Sequence, residues 1–505
     1  MRLATIYSRA QVGIHAPLVT VEVHISNGLP GFSIVGLPEM AVKESKDRVR
    51  GALLNCHFEF PPRRITVNLA PADLPKEGSR FDLPIALGIL VASGQLDPQE
   101  VACFEFVGEL ALSGQIRPIH GVLPVAIASY KAGRGLILPQ ENLQEASLIN
   151  GHQLYSVAHL TEVCQHLSGE RPLIPMTLPP ESPLVTDVGD IGEVRGQALA
   201  KRALEIAASG GHNLLFIGPP GTGKTMLASR LAGLLPPLTQ EEALTTSAIY
   251  SIQGGNPRLQ QLFTRPFRTP HHTASAMSLV GGGSQPRPGE ISLAHNGVLF
   301  LDELPEFDRK ALEVLREPLE SGRVVISRAA RQVEFPARFQ LVAAMNPCPC
   351  GYLGDAGGQC RCTEEQVRRY RSKISGPLLD RIDMHVEVRR ISHSELVSAP
   401  VSTRENSAAV RHRVAQTQEL QRERVGKLNS RLNHHDLARY CSLDAVAQSL
   451  LALAMEKLRL SARSYHRILK VARTIADMGQ STAIMADHVG EALAYRCLDR
   501  QQNLL

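Results

Sequence analysis

The chain has 505 residues, a formal net charge of +5, and 43% hydrophobic against 20% charged residues. This balance excludes a disordered chain, and no apolar run approaches the roughly 18 to 20 residues of a membrane span, so no membrane partner is expected. The length calls for two or three domains, each with its own core. Of the nine cysteines, Cys56, Cys103, Cys164, Cys441 and Cys497 are scattered, which argues for reduced thiols rather than a disulfide framework. The opening "MRLATIYSRAQVGIHAP" does not read as a signal peptide, so a cytoplasmic protein is expected.

In chain order, residues 1–170 read as a mixed α/β domain, with strand-like "RRITVNLAP" and "RGLILP" and helix-like "DLPIALGILVASGQL". The proline-rich segment 171–190 lacks an amphipathic period and reads as a linker. From 191 to 395 strands and helices alternate, the pattern of a parallel sheet with crossover helices. That region opens with "NLLFIGPPGTGKTMLASRLAGLL", a strand, a G-x-x-x-x-G-K-T loop and a helix. Gly218, Pro219, Pro220, Gly221, Thr222 and Gly223 would turn backbone N–H groups toward phosphates; Lys224 would meet the β- and γ-phosphates of ATP, and Thr225 would ligate Mg²⁺. The run Gly281, Gly282, Gly283 suits a mobile loop, and the adjacent His271 and His272 read as polar contacts, because no third ligand stands at a diagnostic spacing. "VLFLDE" reads as a buried strand ending in Asp302, for the Mg²⁺ shell, and Glu303, to polarise the attacking water. "SGRVVISRAARQVEFPARFQ" reads as a β-hairpin whose tip carries Arg328 and Arg331. A further strand, "FQLVAAMN", delivers Asn346 to sense the γ-phosphate. Cys348, Cys350, Cys360 and Cys362 follow as two C-x-C pairs, a set of four thiolates suited to structural Zn²⁺ with no coordination position left for substrate. Residues 396–505 have helical periodicity almost throughout, and one helix carries Arg411, Arg413, Arg422, Arg424 and Lys427.

These motifs, with "PFRTPHHTASAMSLVGGGSQPRPGEISLAHNGVLFLDELPEF", "AAMNPCPCGY", "GPLLDRIDMHVEV" and "SARSYHRILKVARTIADM", resemble the magnesium-chelatase-like AAA+ ATPases of the YifB and ComM group over essentially the whole chain. The resemblance implies an AAA+ core at 191–395, a helical lid at 396–505, and a homo-hexameric ring with ATP between neighbouring subunits. It further implies that Arg381 is an arginine finger, that Arg463 is the lid arginine of the second sensor, and that the hairpin tip faces a pore where Arg328 and Arg331 touch the DNA backbone. The segments "NLAPADLPKEGSRFDLPIAL" and "FVGELALSGQIRPIHGVLPVAIASYKAGRGLILP" resemble the proteolytic domain of Lon. Arg80 and Leu123 stand where that family has its serine and lysine, so 1–170 is expected to be a binding or assembly module without the catalytic dyad. The function implied is an ATP-driven motor on branched or single-stranded DNA, a branch-migration helicase acting on recombination intermediates during DNA uptake. The alternative is a chelatase-type motor that remodels a protein partner for metal insertion.

Overall fold

The computed structural model describes residues 3–176, 189–254, 262–283, 286–328, 331–355, 360–391 and 405–498; the side chains of Arg328 and Arg331 lie outside the description. Two compact units form, one of residues 1–184 with 240–262 and the other of residues 185–239 with 263–505.

In the first unit, β1 (Leu3–Arg9), β2 (Leu18–Ser26), β3 (Gly31–Val35), β4 (Arg64–Ala70), β5 (Phe104–Phe106), β8 (Gly135–Pro139) and β9 (Leu154–Val157) make one sheet in the order β3-β4-β2-β1-β5-β8-β9. A two-stranded ribbon, β6 (Glu109–Leu110) with β7 (Ile116–Arg117), stands beside it. Strand β2 alternates as its sequence requires: Val19, Val21, Val23 and Ile25 are buried, while Thr20, Glu22 and His24 are not. The helix Asp82–Ser93 is apolar on every side, and all but its last residue are buried. It lies against β1 and β2 so closely that a Cβ on Gly88 would come within 2.4 Å of Val23. The strands and helix read from the sequence here are present.

The helix Gln240–Gln253 belongs to this first unit, although it falls inside the 191–395 segment by sequence order. Ala248 joins the core of Val122, Leu123, Val125 and Ala126, with Leu244 and Leu262 at its edge. The Ser251 carbonyl accepts the Gly121 N–H at 3.1 Å, and its hydroxyl accepts the Leu123 N–H at 3.4 Å. Ser251 thus supplies acceptors to the uncapped start of the helix Val122–Lys131.

In the second unit, β10 (Leu214–Ile217), β11 (Phe267–Arg268), β14 (Val298–Leu301), β17 (Gln340–Met345) and β18 (Met384–Glu387) form an all-parallel sheet in the order β11-β14-β17-β10-β18. Every residue of β10, β14 and β17 is buried, as expected of strands covered on both faces. Because β10 is flanked by the fourth and fifth strands in chain order, the sheet changes winding direction beside it. A topological switch point of this kind is where open parallel sheets bind ligands, beyond the C-terminal ends of the strands. Two antiparallel ribbons project from this unit: β12 (Gly281–Gly282) with β13 (Arg287–Pro288), and β15 (Arg323–Arg328) with β16 (Arg331–Pro336). The second is the hairpin read from the sequence, with Arg328 paired to Arg331 at its end. The helices Ser407–Val425, Ala445–Lys457, Ala462–Met478 and Ala486–Ala494 follow, and Val410, Leu451, Ile468 and Val489 share one apolar core with Phe216 and Val342 of the sheet. Among the described residues, no helix is long and apolar enough to cross a membrane.

Candidate functional site

Strand β10 delivers the chain into the loop 218–223, and the helix Lys224–Leu234 begins where the loop ends. Gly218 passes so close to the end of β18 that a Cβ there would sit 2.1 Å from the Val388 carbonyl oxygen, and Gly223 turns into the helix at φ +85°. Glycine is therefore required at both positions. The Thr222 hydroxyl donates to the Pro219 carbonyl at 3.0 Å and braces the loop from within.

Parallel registry gathers the remaining groups. Ile217 of β10 is level with Met345 of β17, and Leu301 of β14 is level with Ala343, so Gly218, Asp302 and Asn346 emerge together from three adjacent strand ends. The Lys224 ammonium donates to the Gly218 and Pro219 carbonyls, each at 2.8 Å, and to Asn346 Oδ1 at 3.2 Å. Burial lowers its pKa, against the opposing pull of Asp302 and Glu303. No carboxylate lies within ion-pair distance of it among the described residues. An ammonium held by neutral oxygens inside a loop of turned amides fits a phosphate. The Thr225 hydroxyl donates to Asp302 Oδ2 at 2.7 Å, a pair of hard oxygen ligands of the kind Mg²⁺ takes. Glu303 sits in the left-handed region at φ +52°, with its N–H donated to Asp302 Oδ1 at 2.9 Å. Its Oε2 lies 3.4 Å from His272 Nδ1. Thus one histidine of the pair read as an ordinary polar contact stands beside Glu303. Only a strand alignment could have shown this, because His272 and Glu303 are far apart in the chain.

Just beyond Asn346, the four cysteines converge. All four sulfurs lie within 4.8 Å of one another, and Cys348, Cys350 and Cys360 are 3.4, 3.7 and 3.6 Å apart pairwise. Tetrahedral Zn²⁺ with bonds of about 2.3 Å places its sulfurs about 3.8 Å apart, so the donor set fits. The Tyr352 and Arg361 backbone N–H groups reach Cys350 and bring its thiol down to about 6, which favours the thiolate at that position, while Cys360 and Cys362 are held above the ordinary thiol value. The cluster is packed into the site. A Cβ on Gly351 would come within 2.9 Å of Pro220 of the loop, and Arg371, on the helix Glu364–Arg371, donates twice to the Pro347 carbonyl at 3.3 and 3.2 Å. A cavity of about 620 Å³ opens beside the loop, lined by Pro219, Leu353, Val367, Val388 and Arg371 among others.

The two other arginines of the sequence reading stand apart from Lys224 and Glu303. Arg381 is nearly buried, 2.5 Å from Glu320, and it donates to the Arg316 and Pro377 carbonyls at 3.1 and 2.6 Å. Arg463 is exposed, 3.9 Å from Asp380, while its neighbour Arg467 makes the tighter pair, 2.5 Å from buried Asp383. Most cations of the basic helix Ser407–Val425 have partners of their own. Arg413 pairs with Glu205 and Glu405, Arg424 with Asp477, and Lys427, just beyond the helix, with Asp436; Arg411 donates to the Gly233 carbonyl. These cations have partners within the fold, although Arg413 stays exposed.

Three family descriptions match the chain: "Magnesium chelatase, subunit ChlI" over residues 190–396, "Subunit ChlI of Mg-chelatase" over 21–142, and "Magnesium chelatase, subunit ChlI C-terminal" over 404–496. The competence protein ComM of Haemophilus influenzae is 53% identical over 504 residues, covering 99% of this chain and 98% of its own. The uncharacterized protein YifB of Escherichia coli is 49% identical over 506 residues, with 99% and 98% covered. The magnesium-chelatase 67 kDa subunit of Heliobacterium mobile is 28% identical over 225 residues, 39% of this chain and 30% of its own.

Proposed function

The chain belongs to the magnesium-chelatase-like family of the ComM and YifB type, and from that premise we propose that it is an ATP-driven DNA motor, a hexameric branch-migration helicase working during DNA uptake. One observation carries the enzymatic part: Lys224, Thr225, Asp302, Glu303 and Asn346 meet at the C-terminal ends of three neighbouring strands. When bound, Mg²⁺ would supply charge neutralisation to the phosphates, with Thr225 and Asp302 as its protein ligands. Lys224 would exchange its carbonyl partners for the β- and γ-phosphate oxygens. Asn346, already within reach of Lys224, would hold the attacking water, and Glu303 would accept its proton. The cavity beside Pro219 is large enough to receive the base. In a ring, Arg381 would leave Glu320 to meet the neighbouring subunit's γ-phosphate, and Arg463 would close from the lid. Cys348, Cys350, Cys360 and Cys362 would hold a structural Zn²⁺ that braces the loop after Asn346. DNA would meet Arg328 and Arg331 at the hairpin end.

Similarity to a competence protein supports the DNA reading over chelation, since it spans both units whereas the chelatase 67 kDa subunit matches a minor part of the chain. In the first unit Ser79 donates to Glu109 and Leu123 is fully buried, which supports a Lon-like module serving assembly rather than peptide cleavage. The test is ATP turnover by the full chain with and without single-stranded or branched DNA. Wild type should be stimulated by DNA, Lys224→Ala should lose nucleotide binding, and Glu303→Gln should bind ATP without hydrolysing it. Wild-type turnover by Glu303→Gln would remove that residue from the chemistry, and indifference to every DNA form would remove DNA as the partner.

A further inference from the structure

We propose that the corner of the first unit where β3 meets β4 is a contact surface for single-stranded DNA, formed by Arg50, Arg63 and Arg64 around the rings of Phe32 and Phe60. It lies in a different unit from the hairpin end to which the DNA reading assigns Arg328 and Arg331, and it rests on that reading only for the polymer involved. Strand β3 is the outermost of its sheet, and its parallel register on β4 sets Gly31 level with Arg64 and Phe32 level with Ile65. The Gly31 N–H donates to the Arg63 carbonyl at 3.4 Å, so both arginines stand at the start of the strand pair. Phe60, three residues before Arg63, brings its ring centroid to 6.2 Å from that of Phe32. Arg50, on the helix Ser45–Asn55, lays its guanidinium over the Phe60 ring at 5.5 Å from the centroid. A helix, a loop and two strands thus meet at one corner.

The charge of this corner calls for a polyanion. Residues 43–64 hold six lysines and arginines against three acids. Arg48 is taken up by buried Asp82 at 2.7 Å and by Glu44 at 3.7 Å. That leaves Lys43, Lys46, Arg50, Arg63 and Arg64 exposed and without a carboxylate partner among the described residues, with Asp47 and Glu59 the only other acids of the stretch. Lys46 and Arg50 are four positions apart on the helix, where like charges cost stability, and Arg63 adjoins Arg64. A phosphate backbone would turn these repulsions into attractions. The rings decide which polymer fits. Phe32 and Phe60 pack against the core yet are only half-buried, and a nucleobase stacks on an aromatic ring or on the plane of an arginine laid over one. In a duplex the bases are stacked on one another and do not reach such a face, so the surface suits a single strand.

The chain has no tryptophan, so Phe60→Trp places a single fluorescent reporter in the corner. The full-length Phe60→Trp protein is titrated with oligothymidylate, with a blunt duplex of equal length and with polyglutamate. In parallel, a labelled oligothymidylate is titrated with wild type, with Phe60→Leu and with the triple variant Arg50→Ala, Arg63→Ala, Arg64→Ala across a series of salt concentrations. Oligothymidylate should quench the tryptophan saturably, because bases stack on it, whereas duplex and polyglutamate should leave it unchanged. The triple variant should lower the slope of log affinity on log salt by about 2, at about 0.7 for each lost phosphate contact on a single strand. Phe60→Leu, which keeps the apolar packing without the ring, should bind about 5- to 100-fold more weakly. A tryptophan indifferent to saturating oligothymidylate, or quenched as strongly by duplex or polyglutamate, overturns the surface, as does a triple variant with the wild-type slope. Wild type that binds no oligothymidylate overturns the DNA reading, and the surface with it.

Discussion

Replacing Glu145 by glutamine asks how the helix Gln240–Gln253 is fastened to the first unit. The Glu145 side chain is buried, its Oε1 has no hydrogen-bond partner, and burial pushes its carboxyl up to about 7 against the smaller opposing effects of the Ser251 hydroxyl and the Leu123 N–H. An unfolded glutamate titrates near 4.3, so the folded group grips its proton with about 4 kcal/mol more free energy. Because the folded value is the higher one, this contribution is fully present below about pH 4.3 and is lost as pH rises through about 7. Glutamine keeps the shape and polar atoms without the charge. Hydrogen exchange in graded urea, read on the amides of Val122–Lys131 and Gln240–Gln253, measures the local opening free energy. At pH 5 the two proteins should agree within about 1 kcal/mol, and at pH 8 the variant should be more stable by about 3 to 4 kcal/mol. An equal gap at both pH values would show that Glu145 carries no buried charge at this junction, and the reasoning would fail.

The cysteine cluster predicts about one Zn²⁺ per chain by elemental analysis, lost when Cys360 and Cys362 are both changed to serine, with looser ring assembly and a secondary fall in ATPase. Metal-free protein with full activity, purified without chelator, would sink the brace. If Arg381 acts across a subunit boundary, mixing Arg381→Ala with Lys224→Ala subunits should restore part of a rate that the arginine raises by about 10³ to 10⁵; verified mixed rings without recovery count against it. Changing Arg328 and Arg331 to alanine should leave basal ATPase intact and flatten the salt dependence of DNA binding by about one unit of slope per lost phosphate contact. Arg424→Ala should leave that slope unchanged while costing about 2 kcal/mol in thermal or denaturant unfolding, because it strips one of two cations from the fully buried Asp477 carboxylate and leaves Arg473 as its partner.

The nucleotide loop and the acidic strand end were legible in sequence because they are local. Four apolar residues buried on both faces, then glycines, then Lys224 at a helix start, can be read without knowing any distant contact. Asn346 was legible for the same reason. What the sequence left hidden depends on partners far along the chain. The sequence shows Arg413 and Arg424 on one basic helix but not their carboxylates Glu205 and Asp477, which stand 208 and 53 positions away. Nothing in the sequence of Gln240–Gln253 shows that it packs into the first unit. His272 gains its place only from the register of β11 on β14, two residues of pairing that no local pattern announces. The four cysteines fall between these cases: their spacing shows two ligand pairs, and the fold brings the pairs together.

The helix Gln240–Gln253 also determines how the protein can be cut. The chain passes between its two units at 184/185, at 239/240 and again at 262/263, so the proline-rich linker is one of three covalent ties. Removing residues 1–170 would not free a tidy ATPase. It would strand a helix whose Ala243, Ala248, Ile249 and Ile252 are normally covered, a sticky stripe lodged between the nucleotide-loop helix and β11. Conversely, the N-terminal residues expressed alone would lack the Ser251 acceptors at the start of Val122–Lys131. Dissection that respects the architecture would have to carry residues 240–262 with the first unit, for instance as a grafted segment, and bridge 239 to 263 in the second.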